Sequence, residues 1–404
     1  MRSSTRNAGD WQTVAICVAA GLLLLIQAPM LMRDVRTVTN DTSCCFLPWY
    51  DQVLAEGRFR SLQANFANYP PPTIYLFSLV SFLQGTLSEP ALLKLVNVPF
   101  IIASGWLAFR ISQSLGASRN RAVAVGLLLM VVPEVWENAL RWGQFDIIYT
   151  CFLLAFYRLI IAKKPVPALI MVGTAFAFKL QTVFVGPLLL ALLLTGELSL
   201  WHFALIPVTY LLWMIPAALA GRPWSQLFVV YVGLSGLMEK LSMSAPNPYF
   251  MIQNYIPYSL SRMVDKGATL SAVAASLLFV WAYCRRPKIQ NPVGMLTALI
   301  LCLLFVPYLL PRMHERYFFA ADVFAVLWLA VRPRMWFATL LLQLTAFLTY
   351  RQYFMTNGFN LTRRGFVLPV LFLTIAIGLT VNQFGREGAG PVECESTLAE
   401  EANL

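Results

Sequence analysis

Apolar stretches recur along nearly the whole of this 404-residue chain, from residue 14 to residue 384. They are too numerous to share one buried core. An α-helix needs ~20 apolar residues to cross a bilayer, or somewhat fewer at a short span. The pattern predicts about twelve spans, at 13–32, 91–113, 120–135, 145–162, 166–179, 181–195, 200–220, 269–284, 292–310, 317–331, 335–351 and 365–384. Composition agrees, with 58% hydrophobic and 12% charged residues, where an ordinary soluble domain carries ~25% charged. The expected fold is all-α and integral to the membrane, with residues 1–384 as one multi-span domain. The first apolar run, Val14 to Met32, follows Arg2 and Arg6 as a signal peptide would. No small-residue cleavage site follows it, so it reads as a retained first helix.

The segment 72–87 is also apolar, and it decides the topology. If it lies at or dips into the surface without crossing, the compact basic clusters Arg119/Arg121, Lys163/Lys164, Arg285/Arg286/Lys288 and Arg332/Arg334 all fall inside. That satisfies the positive-inside rule, and a full crossing would violate it. Two large extracytoplasmic loops follow, at about 33–90 and 221–268, with a disordered acidic cytoplasmic tail at 385–404. The net charge of +11 would suggest nucleic acid in a soluble protein. Here it sits in short loops, where part orients the chain and part can face an anionic lipid head group. The location implied is the inner (plasma) membrane, multi-pass. Seven cysteines are scattered without a CxxC or Cys/His cluster, which gives no sign of a zinc site. Adjacent Cys44 and Cys45 could pair only with strain.

Under this topology the unusual polar residues collect on the outer side. The first loop offers Asp34, Asp41 and Asp51, then Tyr69-Pro70-Pro71-Pro72, read as an extended approach to the membrane. Gly143-Gln144-Phe145-Asp146 opens the fourth span, and Lys179 and Gln181 lie at the turn between the fifth and sixth. Asn247 falls in the second loop, and His314-Glu315-Arg316-Tyr317 follows the ninth span. Ionisable groups at membrane depth are costly and tend to mark a site or pathway. Each also has a plain structural reading. Lys179 could snorkel to the interface, Asp146 could serve a helix N-terminus, and the 314–316 charges could anchor a helix end.

Carboxylates, a histidine, a lysine and arginines on one face, with no glycine-rich phosphate loop and no metal-ligand spacing, fit glycosyl transfer from a lipid phosphate. A carboxylate takes the acceptor proton, and cations stabilise the leaving phosphate. The rival class is a transporter or flippase of lipid-linked sugars. A transporter would concentrate such residues near the midplane on broken helices, whereas here they sit in loops and helix ends.

The order Asp41, Phe46, Trp49, Gly57 and Tyr69-Pro70-Pro71 resembles the first outer loop of GT-C class glycosyltransferases. Gly143 to Asp146, then Lys179 with Gln181, resembles their later pattern. Leu241 to Pro248 and Met313 to Tyr317 resemble bacterial members related to the lipid-phosphate-sugar-dependent glucosyltransferases of N-glycan assembly and to polyprenol-phosphate-mannose mannosyltransferases. The resemblance covers about residues 30–330. It implies a polyprenyl-phosphate hexose donor (glucose or mannose), inversion at the anomeric carbon, and a glycolipid or cell-envelope glycan acceptor. It implies Asp41 as the base, with Asp34 the alternative. Tyr69, Gln144, Asp146, Lys179, Gln181, Asn247, His314, Glu315, Arg316 and Tyr317 are then the substrate-binding set. No cofactor beyond the lipid-linked donor is called for, although one loop carboxylate could hold a weakly bound divalent ion.

Overall fold

The computed structural model describes residues 4–228, 230–231, 240–356 and 362–389. Among these the chain is helical, and extended pairing is confined to isolated bridges such as Met243 with His314. The principal helices are α1 (Ser4–Gln27), α2 (Leu47–Glu56), α3 (Pro71–Val80), α4 (Glu89–Leu95), α5 (Val98–Ser114), α6 (Arg119–Val131), α7 (Asp146–Ile161) and α8 (Pro165–Phe178). They continue with α9 (Gly186–Leu194), α10 (Leu205–Leu219), α11 (Tyr258–Cys284), α12 (Pro292–Leu309), α13 (Phe319–Val326), α14 (Trp336–Thr356) and α15 (Arg363–Ala389).

Every one of the expected spans is helical, but among the described residues 7 helices are long and apolar enough to cross a membrane. These are Trp11–Arg36, Glu89–Ser114, Arg119–Trp142, Leu200–Leu219, Leu260–Cys284, Pro292–Leu309 and Arg363–Glu387. The spans expected at 166–179 and 181–195 are shorter apolar helices, as is Pro71–Leu83. α7 has 16 residues and α13 has 8, so both are short of a full crossing by themselves. α11 begins well before the expected 269, and α15 continues to Ala389, past the boundary drawn at 385. The rest of the expected acidic tail, 390–404, lies outside the described residues, as does 232–239 of the second loop.

α12 is the axis of the bundle. It is apolar on all sides, and every residue from Gly294 to Pro307 is buried, as expected of a helix without a polar face. Around it pack α9, α11, α13 and α15. α7 is the second interior helix, flanked by α5, α8 and α13. α5 and α6 approach closely because Gly105 and Gly126 face each other. A Cβ on Gly126 would come within 2.7 Å of the Gly105 carbonyl oxygen. Small residues at such crossings let membrane helices gain dispersion contacts. α1 lies on the outside of the bundle, against α6.

The first loop is not irregular. It folds into α2, α3 and short turns that cover one end of the bundle. The three prolines divide their work. Pro70 is extended (φ −60, ψ 153), whereas Pro71 and Pro72 occupy the first turn of α3. Proline lacks only an N–H that has no partner there anyway, so the expected extended approach stops at Pro70. The second loop folds onto the segment after α12. The Met243 N–H donates to the Met313 carbonyl at 2.9 Å, and the Arg312 N–H to the Leu241 carbonyl at 2.8 Å. Both strands carry a residue at positive φ, Ser244 (74) and Arg312 (64). Non-glycine residues held there indicate a backbone fixed by its surroundings.

Candidate active site

Two π-helical turns build the centre of the site, Thr42–Phe46 and Trp136–Trp142. Such turns re-aim side chains that a regular helix would send elsewhere. They are joined reciprocally. The Thr39 hydroxyl donates to the Trp142 carbonyl at 3.2 Å, and the Trp142 indole N–H donates to Asp41 Oδ2 at 3.0 Å. The Gln144 side-chain amide donates to the same Asp41 oxygen. Between Trp142 and Gln144 the chain reverses at Gly143, whose φ is 83. A Cβ there would sit 3.1 Å from the Lys94 side chain, so both backbone conformation and space select glycine.

Lys94 itself is buried and donates to three carbonyls, Asp34 at 2.9 Å, Thr37 at 2.7 Å and Arg141 at 2.7 Å. It ties the start of the first loop to the end of the second π turn. Nothing in the sequence singles it out. It reads as one lysine in an apolar run, and its acceptors are 60, 57 and 47 residues away in the chain.

From Asp41 the polar groups continue inward. The Tyr69 hydroxyl donates to Gln144 Oε1 at 3.2 Å, and the Lys179 ammonium lies 5.4 Å from the Tyr69 ring centre. Lys179 forms an ion pair with Asp146 at 2.6 Å, with side-chain exposures of 4% and 0%. It is therefore a buried partner and does not snorkel to the interface. The Asn138 amide donates to the other Asp146 oxygen at 3.0 Å and to the Tyr350 hydroxyl at 3.2 Å. Tyr350 in turn donates to Glu134 at 2.5 Å. Asn138 and Tyr350 escape a sequence reading because each bonds a residue more than 200 positions away in the chain.

Arg316 approaches Asp41 from the other side. Its Nη1 is 4.0 Å from Asp41 Oδ2 and 3.3 Å from Glu315 Oε1. Its guanidinium lies 5.4 Å from the Trp142 ring centre and 6.0 Å from that of Tyr317, within cation–π range. Burial works against the Arg316 charge, but Tyr69, Asp41 and Glu315 around it hold its pKa well above the ordinary arginine value. Burial pushes the Glu315 carboxyl up to about 7 against the opposing pull of Arg316. Burial first, then Arg316 and Lys179, hold His314 well below the usual histidine range. His314 is thus a neutral imidazole at neutral pH. Its Nδ1 is 4.0 Å from Glu315, too far for a hydrogen bond.

The structure therefore brings together Asp41, Tyr69, Gln144, Asp146, Lys179, His314, Glu315, Arg316 and Tyr317. Three others make no hydrogen bond or ion pair to that cluster among the described residues. Gln181 is partly buried and makes no hydrogen bond among the described residues. Asn247 caps the short helix Pro248–Ile252 by accepting from the Phe250 N–H at 3.2 Å. Asp34 is 2% exposed, and Arg33 and Trp136 occupy its carboxylate at 2.9 Å and 3.1 Å. Asp51 is exposed on α2. Cys44 and Cys45 are both free thiols.

Two crystal structures of ArnT from Cupriavidus metallidurans are similar to this chain. The apo state matches at 14% identity over 95% of this chain and 78% of that one, with a TM-score of 0.48. The state bound to undecaprenyl phosphate matches at 17% identity over 94% and 78%, with a TM-score of 0.45. No curated protein matches the chain. The family model of Glycosyltransferase family 87 matches residues 66–311, more than half of the chain, a stretch that holds Tyr69, Gln144, Asp146 and Lys179 and ends just before His314. The match decides between the transferase and transporter readings, and the chain belongs to glycosyltransferase family 87, of the GT-C superfamily.

Proposed function

We propose that the protein moves a hexose, glucose or mannose, from a polyprenyl-phosphate donor to a glycolipid or cell-envelope glycan, with inversion at the anomeric carbon. The observation that carries this reading is the state of Asp41. Its Oδ2 is fixed by Trp142 and Gln144, its side chain is 25% exposed, and Oδ1 accepts no hydrogen bond among the described residues. It is a held carboxylate with one free oxygen, beside a buried arginine.

The chemistry follows. Asp41 Oδ1 takes the proton of the acceptor hydroxyl as that oxygen attacks the anomeric carbon. The bond from that carbon to the phosphate oxygen breaks, and its electron pair leaves with the phosphate. Arg316 meets the growing negative charge, and Lys179 adds positive potential from behind Tyr69. His314 and Tyr317 offer N–H and O–H donors. Asp146 holds Lys179 in place, and Asn138 holds Asp146. The reaction is placed on the extracytoplasmic face of the inner membrane, where the basic loops leave the first loop outside. Asp34 serves poorly as the base because both of its oxygens are already taken.

The experiment is transfer of a radiolabelled hexose from synthetic undecaprenyl-phosphate glucose or mannose by the purified protein, in the presence of membrane lipid extract as acceptor. A labelled lipid product is expected with wild type and not with Asp41→Asn. Equal product from both proteins overturns the reading.

A further inference from the structure

Behind the Lys179–Asp146 pair lie two more buried carboxylates, Glu134 and Asp322, that have no part in the transfer chemistry. Glu134 and Asn138 stand four residues apart on the segment that ends in Trp142, at 1% and 0% exposure. Asp322 lies on α13 at 3% exposure. Gln343 and Tyr350 lie two turns apart on one face of α14. The turn Pro133–Val135, α13 and α14 pack against one another. Across that contact the charges of Glu134 and Asp322 act on each other, and neither carboxylate forms an ion pair among the described residues.

The oxygens in this region outnumber the donors. Tyr350 donates to Glu134 Oε1, and the buried Glu134 Oε2 has no hydrogen-bond partner among the described residues. Asp322 accepts from the Gln343 amide at 3.1 Å through its backbone carbonyl, and its carboxylate accepts nothing among the described residues. Two amide oxygens, Asn138 Oδ1 and Gln343 Oε1, are also buried without a donor. Turning either amide round would not help. The Asn138 nitrogen is committed to Asp146 at 3.0 Å and to Tyr350 at 3.2 Å, and the Gln343 nitrogen to the Asp322 carbonyl, so these acceptors fix which atom is the oxygen. Buried polar groups without partners are costly, and buried charges persist where they are paired or coordinate a metal.

We infer that Glu134, Asp322, Asn138 and Gln343 form a sodium-ion site behind the candidate active site. One small cation satisfies carboxylate and amide oxygens that no donor reaches, and oxygen ligands without sulfur or imidazole suit a hard ion. No group of three or more acidic, histidine or cysteine ligands occurs among the described residues, which favours a monovalent ion over a divalent one. The ion ties α13 and α14 to the segment that carries Trp142. Its charge offsets Glu134 and Asp322 and leaves Asp146 to Lys179. None of this depends on the transferase reading, because it concerns binding to the folded chain.

The full chain is purified in detergent with choline chloride in place of alkali-metal salts. Radioactive sodium should bind at one ion per chain. Sodium chloride should raise the unfolding temperature above that in choline chloride at equal ionic strength, because a ligand of the folded state alone stabilises it. Asp322→Asn and Gln343→Met should each weaken sodium binding by about tenfold or more. Asp51→Asn, at an exposed acid on α2, should leave it unchanged. A cooperative unfolding transition in choline chloride reports that each variant is folded. Absence of sodium binding by wild type, with equal unfolding temperatures in the two salts, would mean that protons neutralise the two carboxylates. Undiminished binding by the folded variants would put the ion elsewhere, and magnesium displacing sodium at lower concentration would make the site a divalent one. Any of these three results overturns the inference.

Discussion

The indole N–H of Trp142 donates to Asp41 Oδ2 at 3.0 Å, joining two turns 101 residues apart in the chain. This bond, with that from Gln144, fixes one oxygen of the carboxylate, and the other is the one proposed above to take the acceptor proton. Trp142→Phe keeps an aromatic ring for Tyr353, which stacks on Trp142 at 4.1 Å, and removes the donor. Turnover should fall by about 10-fold, from loss of one hydrogen bond to a charged group at ~1.5 kcal/mol. Donor binding should be unchanged in an equilibrium assay. Wild-type turnover in this variant would separate the bond from catalysis.

Asp41→Asn and Asp34→Asn should fail in different ways. The first keeps shape and removes the base, so turnover falls by ~100-fold or more while thermal stability holds. The second breaks the pairing with Arg33 and Trp136 at a 2% exposed position. It should lower the melting temperature and leave residual turnover above that of Asp41→Asn. The reverse pattern would move the base to Asp34.

Lys94 should behave as a structural keystone. Lys94→Met fills similar space but leaves three carbonyls without their shared donor. The cost should be about 3 kcal/mol or more, visible as a lower unfolding temperature in detergent. A variant as stable as wild type would show that the first loop is held by other contacts.

Glu315 provides a pH dependence. Its carboxyl is raised to about 7, so it is neutral below that value and ionised above it. Ionised, it lies 3.3 Å from Arg316 and offsets the charge offered to the donor phosphate. Affinity for undecaprenyl phosphate-linked hexose should therefore weaken as pH rises through about 7. Glu315→Gln should bind with the low-pH affinity throughout. The same sign applies to folding. A carboxyl raised above its unfolded value favours the folded state at low pH, and that contribution is lost as pH rises from the ordinary glutamate range through about 7.

Topology is tested with single cysteines, Arg60→Cys and Lys288→Cys, in a background without the seven native cysteines. Both positions are exposed. In intact cells an impermeant maleimide should label position 60 and spare position 288. Labelling at 288 alone would invert the chain.

The sequence by itself determined the membrane class and the all-helical character of the chain. Hydrophobic periodicity is a local property, and a bilayer forces every backbone group to be satisfied within a helix. It also picked out Asp41, Gln144, Lys179 and Arg316, because ionisable or amide groups stand out beside apolar runs. It could not rank Asp41 against Asp34, which lie seven positions apart in the same kind of loop. Tertiary structure separates their surroundings, pairing Asp34 with Arg33 and Trp136 and leaving Asp41 Oδ1 without a hydrogen bond among the described residues. It alone showed Lys94, Asn138 and Tyr350, because each has a partner dozens to hundreds of residues away in the chain. It gave Asn247 and Gln181 no hydrogen bond to the polar cluster among the described residues. Composition marked both as polar and outward, but only packing could show that Asn247 caps a helix.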